Sequence, residues 1–142
     1  MKNVSIRLEN ELVTMLSEIS QRPTTAAQTS IEVLLYLRRA TIYELKGLFS
    51  REEIIALVHI YNGLVPVWKT MCNPSVLIVQ IEDAEKYKNS TTSYGANPSE
   101  LIDKIRTLTA AQAAILQLEL WIFWNNDEGK GPNIERLVSL LS

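Results

Sequence analysis

The chain has 142 residues, enough for one domain or for a small module joined to a larger one. Its apolar fraction of 46 % and charged fraction of 21 % are those of an ordinary globular protein. The net charge of −2 argues by itself against a nucleic-acid binder, and a single cysteine, Cys72, excludes an internal disulfide.

Charge is not spread evenly. Residues 1–50 hold six Lys and Arg against five acids, and residues 51–142 hold eight against eleven. A mildly basic surface on the first part is therefore permitted. No apolar run approaches the ~18 residues of a membrane span. Met1-Lys2-Asn3 has no apolar stretch behind it, so a secretion leader is not expected and the expected address is cytoplasmic.

Met1 to Leu8 alternates polar and apolar residues. Val4, Ile6 and Leu8 would share one face of a strand, and Asn3, Ser5 and Arg7 the other. A lone strand leaves its backbone N–H and C=O groups without partners. The pattern therefore predicts an intermolecular two-stranded β-ribbon, paired with a second copy. Asn10 is placed to cap a helix carrying Leu12, Val13, Leu16 and Ile19, with Glu11 in its first turn. Gln21 to Thr25 ends that helix and offers Thr24 or Thr25 as the next cap. A second helix carries Ile31, Leu34, Leu35, Leu37, Ile42, Leu45 and Leu48, either as one long element or broken near Thr41.

Ser50 with Glu53 has capping-box spacing and opens a helix through Ile54, Leu57, Val58 and Tyr61, with Gly63 placed to stop it. Leu64 to Met71, around Pro66 and Trp68, reads as a short helix or packed turn. Asn73-Pro74-Ser75 and Asn97-Pro98-Ser99 each set a capping Asn before a proline at the first helical position. They start helices to about Lys88 and about Arg106. Residues 89–97 between them are rich in Ser, Thr and Gly and read as the longest exposed loop. Thr109 and Gln112 repeat the capping spacing ahead of the most apolar helix, through Trp121 and Trp124. Asp127 to Gly131 reads as a loop, and Pro132 as the start of a closing helix. The fold class expected is thus mainly α, with one short N-terminal strand and about seven helices.

The order strand, short helix, turn, longer helix over residues 3–48 resembles the ribbon-helix-helix, Arc/MetJ-type family of bacterial DNA-binding proteins. That resemblance implies a homodimer whose paired strands enter the major groove. The outward positions would be Asn3, Ser5 and Arg7, whose types can bond adenine, either kind of base and guanine respectively. The start of the second helix, near Thr24 and Thr25, would hold a phosphate on its backbone N–H groups. Arg22-Pro23 stands where the family often has Gly, and the second helix is longer than usual. The remainder, with Phe49 to Glu53, Tyr61-Asn62-Gly63, Leu108-Thr109 and Phe123-Trp124, resembles short bacterial proteins, some encoded on mobile elements, to which no activity attaches.

No catalytic constellation stands out. His59 is the only histidine and Cys72 the only cysteine, which excludes the usual zinc sites. His59 reads as a helix-surface or half-buried residue and Cys72 as a small core residue. Glu82, Asp83 and Glu85 read as a solvated face, and Asp127-Glu128 lacks the ligand count of a calcium loop. The expectation is therefore a transcriptional regulator, not an enzyme, with no cofactor and no bound metal. Its partners would be a second copy of itself, double-stranded DNA and, through residues 50–142, a second protein; no membrane is among them. Residues 1–49 would form the dimerising, DNA-binding module and 50–142 a helical accessory domain. The competing expectation is an all-helical interaction or accessory protein without a DNA role or catalytic activity; an antitoxin-like protein would combine the two, with DNA bound at the front and a partner at the back.

Overall fold

The computed structural model describes residues 1–61, 71–125 and 133–142. Gly63, all but Met71 of the Leu64–Met71 segment expected as a short helix or packed turn, Asp127-Glu128 and Pro132 lie outside the described residues. The described chain holds seven α-helices: α1 Asn10–Ser17, α2 Pro23–Leu45, α3 Arg51–Tyr61, α4 Pro74–Lys88, α5 Pro98–Arg106, α6 Ala110–Asn125 and α7 Ile134–Leu141. A single 3-10 turn, Thr92–Tyr94, lies between α4 and α5.

The expected N-terminal strand and its β-ribbon are not there. Residues 1–9 carry no regular secondary structure, and no strand occurs among the described residues. Alternation of Val4, Ile6 and Leu8 specifies a face and nothing more. A strand exists only through a ladder to a neighbour, and this chain supplies none. Residues 1–9 are instead an exposed arm leading into α1.

Two compact units are present, Met1–Arg39 and Ala40–Ser142, so the division falls inside α2. In the first unit, the N-cap of α1 lies one residue earlier than expected. Glu9 is the N-cap and makes no side-chain capping bond, while Asn10 is already helical and its carbonyl accepts from the Thr14 hydroxyl at 3.0 Å. Pro23 opens α2, where its fixed φ suits the helix and its missing N–H is not needed. Thr24 and Thr25 therefore lie in the first turn and not at the cap. α2 runs without a break through Thr41.

The second unit has α3 at its centre, packed against α4, α6, α7 and the 3-10 turn, with α5 lying along α4. Ile54 and Leu57 of α3, Leu77 and Ile81 of α4, Leu101 and Ile105 of α5, and Leu116 and Leu120 of α6 are fully buried in one cluster. Leu45 and Phe49 belong to the same cluster. Gly47, at φ +84°, takes the left-handed conformation that glycine adopts without penalty, and its N–H donates to the Leu141 carbonyl at 2.9 Å. The turn after α2 is thereby tied to the last turn of α7.

The helix starts of this unit follow side-chain chemistry. Ser50 and Glu53 close a reciprocal capping box: the Glu53 N–H donates to Ser50 Oγ at 3.2 Å, and the Ser50 N–H to Glu53 Oε1 at 2.9 Å. Thr109 and Gln112 do the same at 3.0 and 3.2 Å. Asn73 and Asn97 cap α4 and α5 by accepting from the N–H of Ser75 and Glu100, with proline at the first helical position of each. Asn133 caps α7, accepting from both Glu135 and Arg136.

Candidate functional site

The N-terminal unit is unusual in how little it buries. Ala26 is its single fully buried residue. Val4, Ile6 and Leu8 of the arm and Leu12, Val13 and Met15 of α1 are all exposed. In α2, Ile31, Val33, Leu34, Leu35 and Leu37 are each between 42 and 59 % exposed, and Tyr36 more so. These positions span about two helical turns, so their side chains point to every side of the helix. A helix apolar all round is an interior helix.

Asn3, Ser5 and Arg7 alternate with the apolar residues of the arm and are all exposed. Thr24 and Thr25 are exposed in the first turn of α2, where backbone N–H groups lack helical acceptors. All five expected site residues thus lie on the surface of one unit, in two separate segments of it: three on the arm and two at the start of α2.

The second unit carries polar groups that are structural in their geometry. Glu53 is almost wholly buried and its Oε1 accepts from Lys104 Nζ at 2.5 Å as well as from the Ser50 N–H. Its second oxygen, Oε2, has no hydrogen-bond partner. Gln117 is buried and donates to the Met71 carbonyl at 2.8 Å. The Tyr61 hydroxyl is buried without a partner, and burial pushes its pKa above the ordinary value. Arg51 and Glu135 make a two-armed ion pair on the surface, joining α3 to α7. It raises the arginine pKa and lowers that of the carboxyl, each chiefly through the hydrogen bonds between them.

Three expectations need correction or refinement here. Cys72 is exposed and is not a core residue. Glu85 is no simple member of a solvated face. It accepts from the N–H groups of Thr91 and Thr92 at 3.0 and 3.1 Å, and from the Thr92 hydroxyl at 2.5 Å. The Thr92 hydroxyl is the largest cause that lowers its pKa, and the backbone bonds add to it. The segment 89–97 is mostly exposed, as expected, and these bonds fasten it. Its Tyr94 ring stacks on His59 of α3, with centroids 4.3 Å apart and planes 2° from parallel. His59 itself lies at the helix surface.

The aromatic run at the end of α6 is packed on several sides. Trp124 donates its indole N–H to the Val58 carbonyl at 3.0 Å, and Phe123 meets the Trp124 ring edge-on. Trp121 lies partly buried against the core.

Sequence reasoning found the caps of α3 to α6 and missed the Glu53–Lys104 pair, the Glu85 clamp and the Arg51–Glu135 bridge. Glu53 could have been flagged, because the spacing that makes it a cap also places it next to Ile54 on a buried helix. Nothing local points from Arg51 to Glu135, which lie 84 residues apart. Among the described residues no group of three His, Cys, Asp or Glu side chains is placed to hold a metal, and no helix is long and apolar enough to cross a membrane. No family model, no curated protein and no solved structure matches the chain.

Proposed function

We propose that the chain is a sequence-specific DNA-binding homodimer that acts as a transcriptional regulator in the cytoplasm. The observation that carries this reading is the arm. It presents Asn3, Ser5 and Arg7 to solvent at alternate positions, and these are side-chain types that read base edges. DNA-binding proteins use arms without regular structure to reach into a groove while helices hold the backbone. Thr24 and Thr25, at the positive end of α2, are suited to a phosphate contact. The slight excess of basic residues over residues 1–50 agrees with this. Residues 50–142, acidic overall, are assigned a supporting role or a second protein partner.

A homodimer reads two half-sites, so the operator would be palindromic. The test is selection of duplexes from a random pool by the full chain at moderate salt. Enrichment of one palindromic motif supports the reading, and recovery of random sequence at every round removes it. The exposed apolar surface of α1 and α2 favours a second reading, an all-helical interaction or accessory protein that binds another protein and no DNA. Under that reading the selection fails.

A further inference from the structure

We infer that residues 1–39 fold only against a second copy of the chain, while residues 40–142 are already folded in the single copy. This rests on the homodimer part of the proposed function and not on DNA binding.

The first ground is size. A unit of this length buries too little of itself, and below about 40 residues disulfides, metals or association are usually needed. The first two are excluded here. Residues 1–39 contain no cysteine and no histidine, so neither a disulfide nor a thiolate or imidazole metal site is available. What remains is packing against another protein surface.

The second ground is the surface. Leaving Met1 aside, thirteen large apolar side chains of this unit are at least 40 % exposed. Together they leave on the order of 1,000 Å2 uncovered, which exceeds the ~800 Å2 that each partner gives to a stable interface. The apolar positions of α2 between Ile31 and Leu37 face every direction. A single flat contact leaves part of such a helix wet, whereas a partner that is itself an arm and two apolar helices can enclose it.

The third ground fixes the occupant. The unit carries five basic residues against four acids, so two copies meet with little net repulsion. The same surface appears on both copies, and a two-fold axis lets each apolar stretch cover its counterpart.

The consequence is a concentration switch. Dilution releases residues 1–39 as a mobile, unfolded segment and leaves the other unit intact, so any partner of the first unit is lost with the dimer.

The test is made on the full chain without DNA. Sedimentation should give twice the 16.1 kDa of one chain at micromolar concentration and approach the single mass on dilution. Amide exchange over residues 31–37 should slow at least tenfold as concentration rises, and exchange within α3 and α6 should not change. Leu35→Asp should shift the sedimentation midpoint to at least tenfold higher concentration, with the tryptophan emission of the second unit unaltered. The exchange measurement stands even if that variant proves unstable. A single-chain mass at all concentrations overturns the inference and assigns the surface to a different protein. Slow exchange over 31–37 that ignores concentration overturns it too, as does a mass above two copies. A dimer that binds no DNA upholds the inference and removes only the DNA reading.

Discussion

Lys104 and Glu53 show how one contact can carry two jobs. Glu53 Oε1 caps the start of α3 and neutralises Lys104, and its second oxygen is buried without a partner. Removing the lysine strands a carboxylate in an apolar interior. Lys104→Met should therefore destabilise by about 3 kcal/mol, the low end for breaking a buried pair. The low end applies because the lysine side chain is still 35 % exposed. Ser50→Ala removes one capping bond and should cost about 1 kcal/mol. Urea midpoints followed by tryptophan emission rank the two, and an equal effect would mean that the pair contributes little beyond the cap. On the arm, Arg7→Ala should weaken binding to a selected operator by about tenfold or more, the value of one bidentate base contact. It should leave the circular dichroism unchanged, because Arg7 is exposed. Unaltered affinity would show that the arm does not read bases through Arg7.

At the scale of elements, one carboxylate makes the side-chain bonds that fasten the turn between α4 and α5, beside its own backbone bonds. Glu85 gathers two backbone N–H groups and one hydroxyl, and the bonds, Thr92 first among them, hold its pKa below the ordinary value of 4.5. The folded pKa is depressed, so the stabilisation is fully present above the unfolded value and is lost as pH falls through the folded one. Glu85→Gln should be less stable than the parent at pH 7, and the gap should close below about pH 4.5, where the parent's carboxyl protonates in the unfolded chain. Urea melts of both proteins between pH 7 and pH 3 measure this. A gap that stays constant would remove the carboxylate charge from the account.

The same elements show what was legible. Capping is local, so Ser50, Asn73, Asn97 and Thr109 marked helix starts that side-chain bonds confirm. The Glu85 clamp was illegible because its partners lie beyond a left-handed Asn89, where the chain reverses. The arm misled for a different reason. Period-2 alternation is a property of one segment, whereas a strand is a property of two. For the proposed site residues Asn3, Ser5 and Arg7 the sequence supplies residue type, and the fold adds only that they are exposed.

For the whole molecule, the two units differ in what holds them together. The second has a continuous core from Leu45 to Leu141, drawn from five helices and the end of α2. It also has capping side chains at the starts of α3 to α7 and the Arg51–Glu135 bridge from α3 to α7. About 100 residues is ample to bury such a core without help. The first unit has one fully buried alanine and a helix whose apolar residues face solvent on every side. A fragment of residues 40–142 is therefore expected to be helical and monomeric, and to unfold in one cooperative step with a midpoint independent of concentration. Residues 1–39 made alone should show little helix at micromolar concentration, since a marginal helix needs tertiary contacts to persist. The full chain should then melt with one concentration-dependent and one concentration-independent component, read by circular dichroism at two concentrations a hundredfold apart. A fragment 40–142 that is molten or aggregates would show that the apolar surface of the first unit completes the core of the second. In that case the chain is one cooperative domain, and the boundary inside α2 has no energetic meaning.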